Sequence, residues 1–223
     1  MTHGIWAVVP MKGGPGGKQR LAPALTPDER QRLAMAMFED VLSALHDAPG
    51  LAGIAVVTAD ASVAALAARY GARILGNDAT EGHTAAVLGA GRVLGGEGCA
   101  GLLALPGDIP MVTPDEIAAV LAAHGAAPCF TIVPSHDEMG SNGVLASPPG
   151  VVPLRYGDDS YRPHLEAARR LGVPCRTLKL RGIGLDIDHP QDLDAFLAIP
   201  SGTRARRVLE SIGYRGAQPA AAG

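Results

Sequence analysis

The stretch Gly101–Thr113, GLLALPGDIPMVT, limits the possible folds of this chain more than any other. Leu102, Leu103, Ala104 and Leu105 form an apolar run without polar alternation, closed by Pro106 and Gly107. Such a run reads as a strand buried on both faces of a mostly parallel sheet. The Asp108 carboxylate then stands just past the strand's C-terminal end, the edge where open α/β sheets bind ligands. Pro110 removes a backbone donor. Thr113, Pro114 and Glu116 follow as an N-cap, a first-turn proline and the third-position acid of a capping box, so a helix starts at once. For an isolated strand-end aspartate, capping a turn is the plainer role. A second acidic pair far along the chain is what favours a ligand.

The same punctuation recurs upstream. Ile5 to Val9 reads as a strand ended by Pro10, opening into MKGGPGGKQRL. Four glycines, Gly13 and Gly14 among them, and a proline lie between Lys12 and Lys18, so the backbone can approach a ligand closely. Lys12, Lys18 and Arg20 supply charge for phosphates, although a solvated turn has the same composition. The Walker pattern does not fit, because Lys12 stands in place of its first glycine and Gln19 in place of its Ser or Thr. Thr26, Pro27 and Glu29 repeat the capping pattern before an amphipathic helix through Leu33, Met37, Val41 and Leu45, with Phe38 and the methionines as core. Ile54 to Thr58 reads as a strand, Asp60 to Arg69 as a helix ended near Gly71, and Arg73 to Leu75 as a third strand. Beyond Asn77 and Asp78, a helix starts near Glu81 to Thr84, its N-terminal amides able to face a nucleotide.

With 223 residues and this alternation, one α/β domain is expected over residues 1–213. Aromatics are only 4%, so the core is aliphatic. The formal charge of -3 provides no basic field for a nucleic-acid polymer. Cys99, Cys129 and Cys175 are odd in number and scattered, fitting mostly buried reduced thiols of a cytoplasmic protein. No secretory signal or membrane span is legible.

In the second half, Cys129 to Val133 is an apolar strand ended by Pro134, and Ser135 to Ser141 a polar surface loop. Gly140, Ser141, Asn142 and Gly143 read as a tight polar turn before the strand-like VLAS. YGDDS leads into a helix from Tyr161 to Leu171 that Gly172 stops. Ser141, Gly157 and Ser160 could offer donors to an oxyanion, with a plain turn as the alternative. In GIGLDIDHPQDLDAFL, Asp186 and Asp188 alternate with Ile187 along an expected strand, so their carboxylates share a face, and Pro190 begins the last core helix. Like charges this close resist joint burial unless a cation bridges them. With Asp108 at the same sheet edge, a three-carboxylate magnesium site is expected; the alternative leaves Asp188 as a helix cap and Asp186 solvated. Ser201 to Ile212 reads as a short terminal helix, and residues 214–223 as a disordered tail.

Taken in order, VPMKGGPGGKQRL, LALPGDIPMVTP, GSNGVL, YGDDSYRPH and GLDIDHPQDL make the chain resemble the guanylyltransferases of coenzyme F420 biosynthesis, from Ile5 to about Leu197. The resemblance implies a single-domain Rossmann-like three-layer α/β sandwich of the nucleotide-diphospho-sugar transferase type. It implies transfer of GMP from GTP to a phosphorylated three-carbon acid with release of pyrophosphate. Asp108, Asp186 and Asp188 fall on the family's metal-binding acids, which implies Mg2+. Ser141, Gly157 and Ser160, with Asn142 in the same GSN segment, fall where the family grips the acceptor. Lys18 and Arg20 fall on the basic pair expected near the GTP phosphates, which gives them, with Asp108, catalytic roles. Three positions depart from the pattern: GSN stands for GTN; GHTAA for GLNAA, placing His83 and Thr84 near the nucleoside; and Pro163 for an arginine, with Arg162 beside it and His164 retained. The acceptor is left open among 2-phospho-L-lactate, phosphoenolpyruvate and 3-phospho-D-glycerate, as is the oligomeric state, a homodimer included. The resemblance also implies hand-over of the product to the downstream F420 transferase.

Such a transfer requires no covalent intermediate. The acceptor phosphate is already anionic, so it needs positioning and charge screening. Magnesium on the three aspartates is expected to bridge acceptor and α-phosphate, while Lys12, Lys18 and Arg20 neutralise the leaving pyrophosphate. Three alternatives fit the motifs less well. A molybdenum-cofactor or sugar-phosphate nucleotidyltransferase is disfavoured by GSN and YGDDS, and a non-catalytic nucleotide-binding regulator by the acidic triad. A Rossmann oxidoreductase lacks its G-x-G-x-x-G after the first strand.

Overall fold

The local signals meet in one seven-stranded sheet with the order β3-β2-β1-β4-β6-β5-β7. The computed structural model describes residues 4–14, 16–76, 78–157 and 159–216. Pro15, Asn77, Asp158 and residues 217–223, all parts of stretches read above, lie outside the described residues. The strands are β1 (Ile5–Pro10), β2 (Leu51–Val57), β3 (Arg73–Leu75), β4 (Gly101–Ala104), β5 (Cys129–Pro134), β6 (Ser141–Ser147) and β7 (Cys175–Thr177). Only β6 runs against its neighbours, pairing antiparallel with both β4 and β5; the other pairings are parallel. The helices are α1 (Pro27–Asp47), α2 (Ala61–Arg69), α3 (His83–Gly96), α4 (Pro114–Ala123), α5 (Tyr161–Arg170), α6 (Pro190–Leu197) and α7 (Arg204–Ser211), with a 3-10 turn at Gln19–Leu21.

Three layers follow from strand alternation. Ala7, Val9, Ile54, Val56 and Leu103 point to one face, where Phe38 of α1, Val63 of α2 and Ile117 of α4 cover them. Val8, Ala55, Val57, Leu102 and Ala104 point to the other, against Val87 of α3 and Ala168 of α5. The mostly parallel three-layer sandwich expected from the sequence is the fold observed. A third apolar cluster joins Leu21, Leu33 and Met37 to Ile187, Phe196 and Leu209, tying the first loop, α1, α6 and α7 around the acidic segment 185–188. No helix of the described residues is long and apolar enough to cross a membrane. Cys99 and Cys129 are buried and Cys175 is exposed, all three free.

The caps behave as their chemistry dictates at α1, where the Thr26 N–H donates to Glu29 at 2.8 Å and the Glu29 N–H to Thr26 Oγ1 at 3.4 Å. At α4 only half the expected box forms. Thr113 Oγ1 accepts the Glu116 N–H at 3.2 Å, but the Glu116 carboxylate turns away to accept the N–H groups of Gly182 and Ile183 at 2.7 and 3.0 Å. Gly182 fits there because a Cβ would lie 2.2 Å from the Met111 carbonyl oxygen.

Three expectations need correction, and one strand is new. Ser141, Asn142 and Gly143 are the start of β6, not a tight turn, because the ladder to β5 already pairs Val133 with Gly143 and Pro134 with Ser141. The turn lies upstream, closed by the Ser135 N–H on the Gly140 carbonyl at 3.0 Å. Asp186–Asp188 is extended without strand pairing, held instead by the Ile187 N–H on the Asp108 carbonyl at 3.0 Å. β7 has no counterpart in the sequence reading, since Cys175, Arg176 and Thr177 form an exposed edge without an apolar run. Finally, Tyr214 is not tail: its hydroxyl donates to Asp194 at 3.2 Å and its ring packs on the third cluster.

Candidate active site

The C-terminal ends of β1 and β4 open onto the same edge, where a cleft of about 510 Å³ is lined by Asp108, Asp186, Asp188, Arg20, Ser141, Gly157 and Ser160 among others. Lys18 takes a left-handed backbone (φ 53°) at the entrance to the 3-10 turn, which Leu21 anchors in the third cluster. That geometry sends its ammonium between two carboxylates, in contact with Asp108 Oδ2 and 2.6 Å from Asp188 Oδ1. Burial disfavours the Lys18 charge, yet Asp108 and then Asp188 outweigh it and its pKa is raised. For Asp188, burial likewise opposes the charge, and Lys18 overcomes it, lowering the pKa; Arg20 Nη1 adds a longer contact at 3.6 Å.

Asp186 is bound differently. Asn142 Nδ2 donates to its Oδ1 at 2.9 Å and to the Ile183 carbonyl at 3.0 Å, so β6 orients the carboxylate. Burial raises its pKa, the Asn142 bond opposes this, and the Asp108 charge adds to the rise. Asp108 Oδ1 is buried with no hydrogen-bond partner. Among the described residues, no three His, Cys, Asp or Glu side chains converge closely enough to enclose a metal ion. The Lys18 ammonium occupies the space between two of the three predicted ligands. Asp188 does not cap α6: Asp192 accepts the N–H groups of Asp188 and His189 at 3.0 and 2.7 Å.

The predicted nucleotide residues divide. Arg20 and His83 line the cleft and Lys18 stands behind its Asp108 and Asp188, whereas Lys12, Gly13, Gly14 and Thr84 do not line it. Gly13 is needed by the protein itself, since a Cβ there would lie 2.1 Å from Asp60 Oδ2. Thr84 Oγ1 accepts the Tyr156 N–H at 3.0 Å, pinning the start of α3 to the segment before α5. His83 meets the Tyr156 ring edge-on at 4.4 Å, and burial lowers its pKa against the pull of Asp108.

The acceptor residues come together more fully. Ser141 begins β6 and Ser160 directly precedes α5, its hydroxyl turned to Ser141 at 3.1 Å instead of capping the helix. His164 Nδ1 is 3.0 Å from Ser141 Oγ. In the sequence His164 stands out only as a retained family residue; its spacing of four from Ser160, at the start of α5, is the available signal. Asn142 was assigned to the acceptor, but its amide is engaged by Asp186 and Ile183.

A family model described as "Guanylyl transferase CofC like" matches residues 5–220. The chain is 38% identical over 189 residues to a phosphoenolpyruvate guanylyltransferase of Rubrobacter xylanophilus, covering 85% of this chain and 91% of the relative. It is 32% identical over 194 residues to a 3-phospho-D-glycerate guanylyltransferase of Colwellia psychrerythraea, covering 87% and 91%. A solved nucleotidyl transferase from Methanothermobacter shares the fold, with TM-score 0.65 and 20% identity over 93% of this chain and 99% of that one.

Proposed function

Because this chain belongs to the CofC-like guanylyl transferase family and is a nucleotidyltransferase, we propose that it moves GMP from GTP onto the phosphate of a three-carbon acid. The observation that carries this reading is the cleft itself, which brings three carboxylates, two of them holding the Lys18 ammonium, to the Ser141 hydroxyl at one sheet edge. The relative of 38% identity is named for phosphoenolpyruvate, which puts that acid first and 3-phospho-D-glycerate next. Both GTP and these acids point to the cytoplasm as the place of work. The guanylylated product is a phosphoanhydride, suited to consumption by the downstream transferase of F420 assembly.

An anionic oxygen of the acceptor phosphate attacks the α-phosphorus of GTP. The new P–O bond forms as the bond from the α-phosphorus to the β-bridging oxygen breaks, and its electron pair leaves on pyrophosphate. No proton needs removing, so the protein's work is positioning and charge stabilisation. Lys18 and Arg20, beside Asp108 and Asp188, are placed to meet the negative charge that develops on the leaving group. Ser141 and the Gly157 segment hold the acceptor on the opposite wall.

Two polyanions entering a cleft rimmed by Asp108, Asp137, Asp186, Asp188 and Asp192 require additional positive charge. Asp108, Asp186 and Asp188, with the unpartnered Asp108 Oδ1 among their oxygens, supply the hard donors that magnesium takes, and they would hold the ion by drawing closer together as the Lys18 ammonium gives up its place between Asp108 and Asp188. When bound, the ion supplies charge screening for the phosphates.

The test is pyrophosphate release with magnesium, crossing GTP, ATP, CTP and UTP against 2-phospho-L-lactate, phosphoenolpyruvate and 3-phospho-D-glycerate. Release that requires GTP and one acid is expected. Folded protein that releases none in any combination would remove the three-carbon-acid assignment.

A further inference from the structure

His164 is 1% exposed on α5, yet both its ring nitrogens are committed. Its Nε2 accepts the Arg155 backbone N–H at 2.9 Å. A ring nitrogen that accepts carries no proton, and burial lowers this imidazole's pKa to about 4, so the ring is neutral at pH 7. Its one proton therefore stands on Nδ1 and is donated to Ser141 Oγ, 3.0 Å away. The Ser160 hydroxyl donates to that same oxygen at 3.1 Å. A hydroxyl oxygen accepts two hydrogen bonds, so both acceptor positions of Ser141 are filled and only its proton remains to be offered. Ser141 lines the cleft. Ser160, which lines the cleft too, donates its hydroxyl proton to Ser141 and its N–H to the Met139 carbonyl at 3.0 Å.

We propose that His164 is a positioning residue which fixes Ser141 as a hydrogen-bond donor toward the acceptor acid, with Ser160 filling the other acceptor position of that hydroxyl. This rests on the assignment of Ser141 to the acceptor. It explains why a histidine is buried beneath a serine in a strand: a neutral, Nδ1-protonated ring cannot accept from Ser141, so the serine cannot turn its proton inward. An acceptor oxygen, carboxylate or phosphate, is what such a serine selects; a donor group placed there finds no free lone pair.

Two readouts test it. In 15N-histidine-labelled wild-type protein, long-range nitrogen–proton NMR correlations, assigned by their loss in His164→Asn, should show the proton on Nδ1. A proton on Nε2 would overturn the proposal whatever the kinetics. In steady state, His164→Leu should raise the KM for the acid about tenfold, with kcat and the KM for GTP within about twofold. His164→Asn, whose amide nitrogen lies near the place of Nδ1, should recover most of that loss, and Ser160→Ala should show a smaller rise of the same kind. An unchanged KM for the acid in folded His164→Leu, or an equal fall in every parameter, would defeat the idea. If His164→Leu does not fold, the Asn variant and the NMR of the wild type still decide. Failure of the acceptor reading is distinct: the wild type then makes no product with any acid, while the tautomer remains readable.

Discussion

Lys18 lies between two carboxylates that would otherwise repel each other, and this makes its removal different from that of Asp108. Asp108→Asn keeps size and shape but lowers the charge, so turnover should fall by about 10² or more while thermal unfolding shifts little. Activity at the wild-type level would exclude Asp108 from the chemistry. Lys18→Met leaves Asp108 and Asp188 facing each other without a cation, which destabilises the fold as well as the reaction. Its melting temperature should drop and then rise more steeply with added magnesium than that of the wild type. Equal magnesium responses would dissociate Lys18 from the metal site. His164 gives a pH signature with a definite sign. Its folded-state pKa, about 4, is below the ordinary 6.5, so between these values the unfolded chain binds a proton that the folded one does not. The associated stability is therefore fully present above pH 6.5 and is lost as pH falls, by about 2 kcal/mol at pH 5. Urea unfolding at pH 7 and pH 5 should show that gap narrowing in His164→Asn.

At the scale of elements, the segment that carries Asp186 and Asp188 is neither helix nor strand, and its position depends on neighbours. Glu116, on the first turn of α4, accepts two N–H groups from Gly182 and Ile183, and the Asp108 carbonyl accepts the Ile187 N–H. The backbone of the acid that follows β4 and the helix beyond it thus hold the second acidic segment in place. Glu116→Ala leaves two backbone donors unsatisfied and should cost about 2 kcal/mol in urea unfolding. The same variant should lower kcat, because Asp186 and Asp188 lose their register against Asp108. Retained kcat with lowered stability would make the clamp purely structural. The Pro and Gly punctuation of the elements was legible because it acts within a few residues. Pro10 ends β1, Thr26–Pro27–Glu29 starts α1, Thr113–Pro114 starts α4, and Gly172 follows α5. Glu116 obeyed the same local rule only in part, because the bare amides of Gly182 and Ile183 offered its carboxylate two donors where the cap offered one.

At the scale of the whole molecule, α7 closes the side of the fold behind the first loop. The buried Asp40 of α1 accepts the N–H groups of Arg204 and Ala205 at 2.8 and 2.9 Å, and Leu209 packs with Met37 and Phe196 beneath it. Leu209→Ala opens a cavity in that cluster and should cost about 3 kcal/mol in chemical unfolding, with the KM for the acid unchanged because Ser141 lies on another element. A shifted acceptor KM would mean that α7 controls the cleft. By itself the sequence determined the layered α/β architecture, the strand that ends at Asp108, and the types of residue that gather at its edge. Those follow from apolar runs, capping residues and charges, which act locally or through burial. Only the tertiary structure decided that Lys18 meets partners 90 and 170 positions away, that Ser141 and Asn142 sit in a buried strand, and that His164 directs a hydroxyl. A polar residue's partner is set by which chain segments pack together, and distance along the sequence carries no information about that contact.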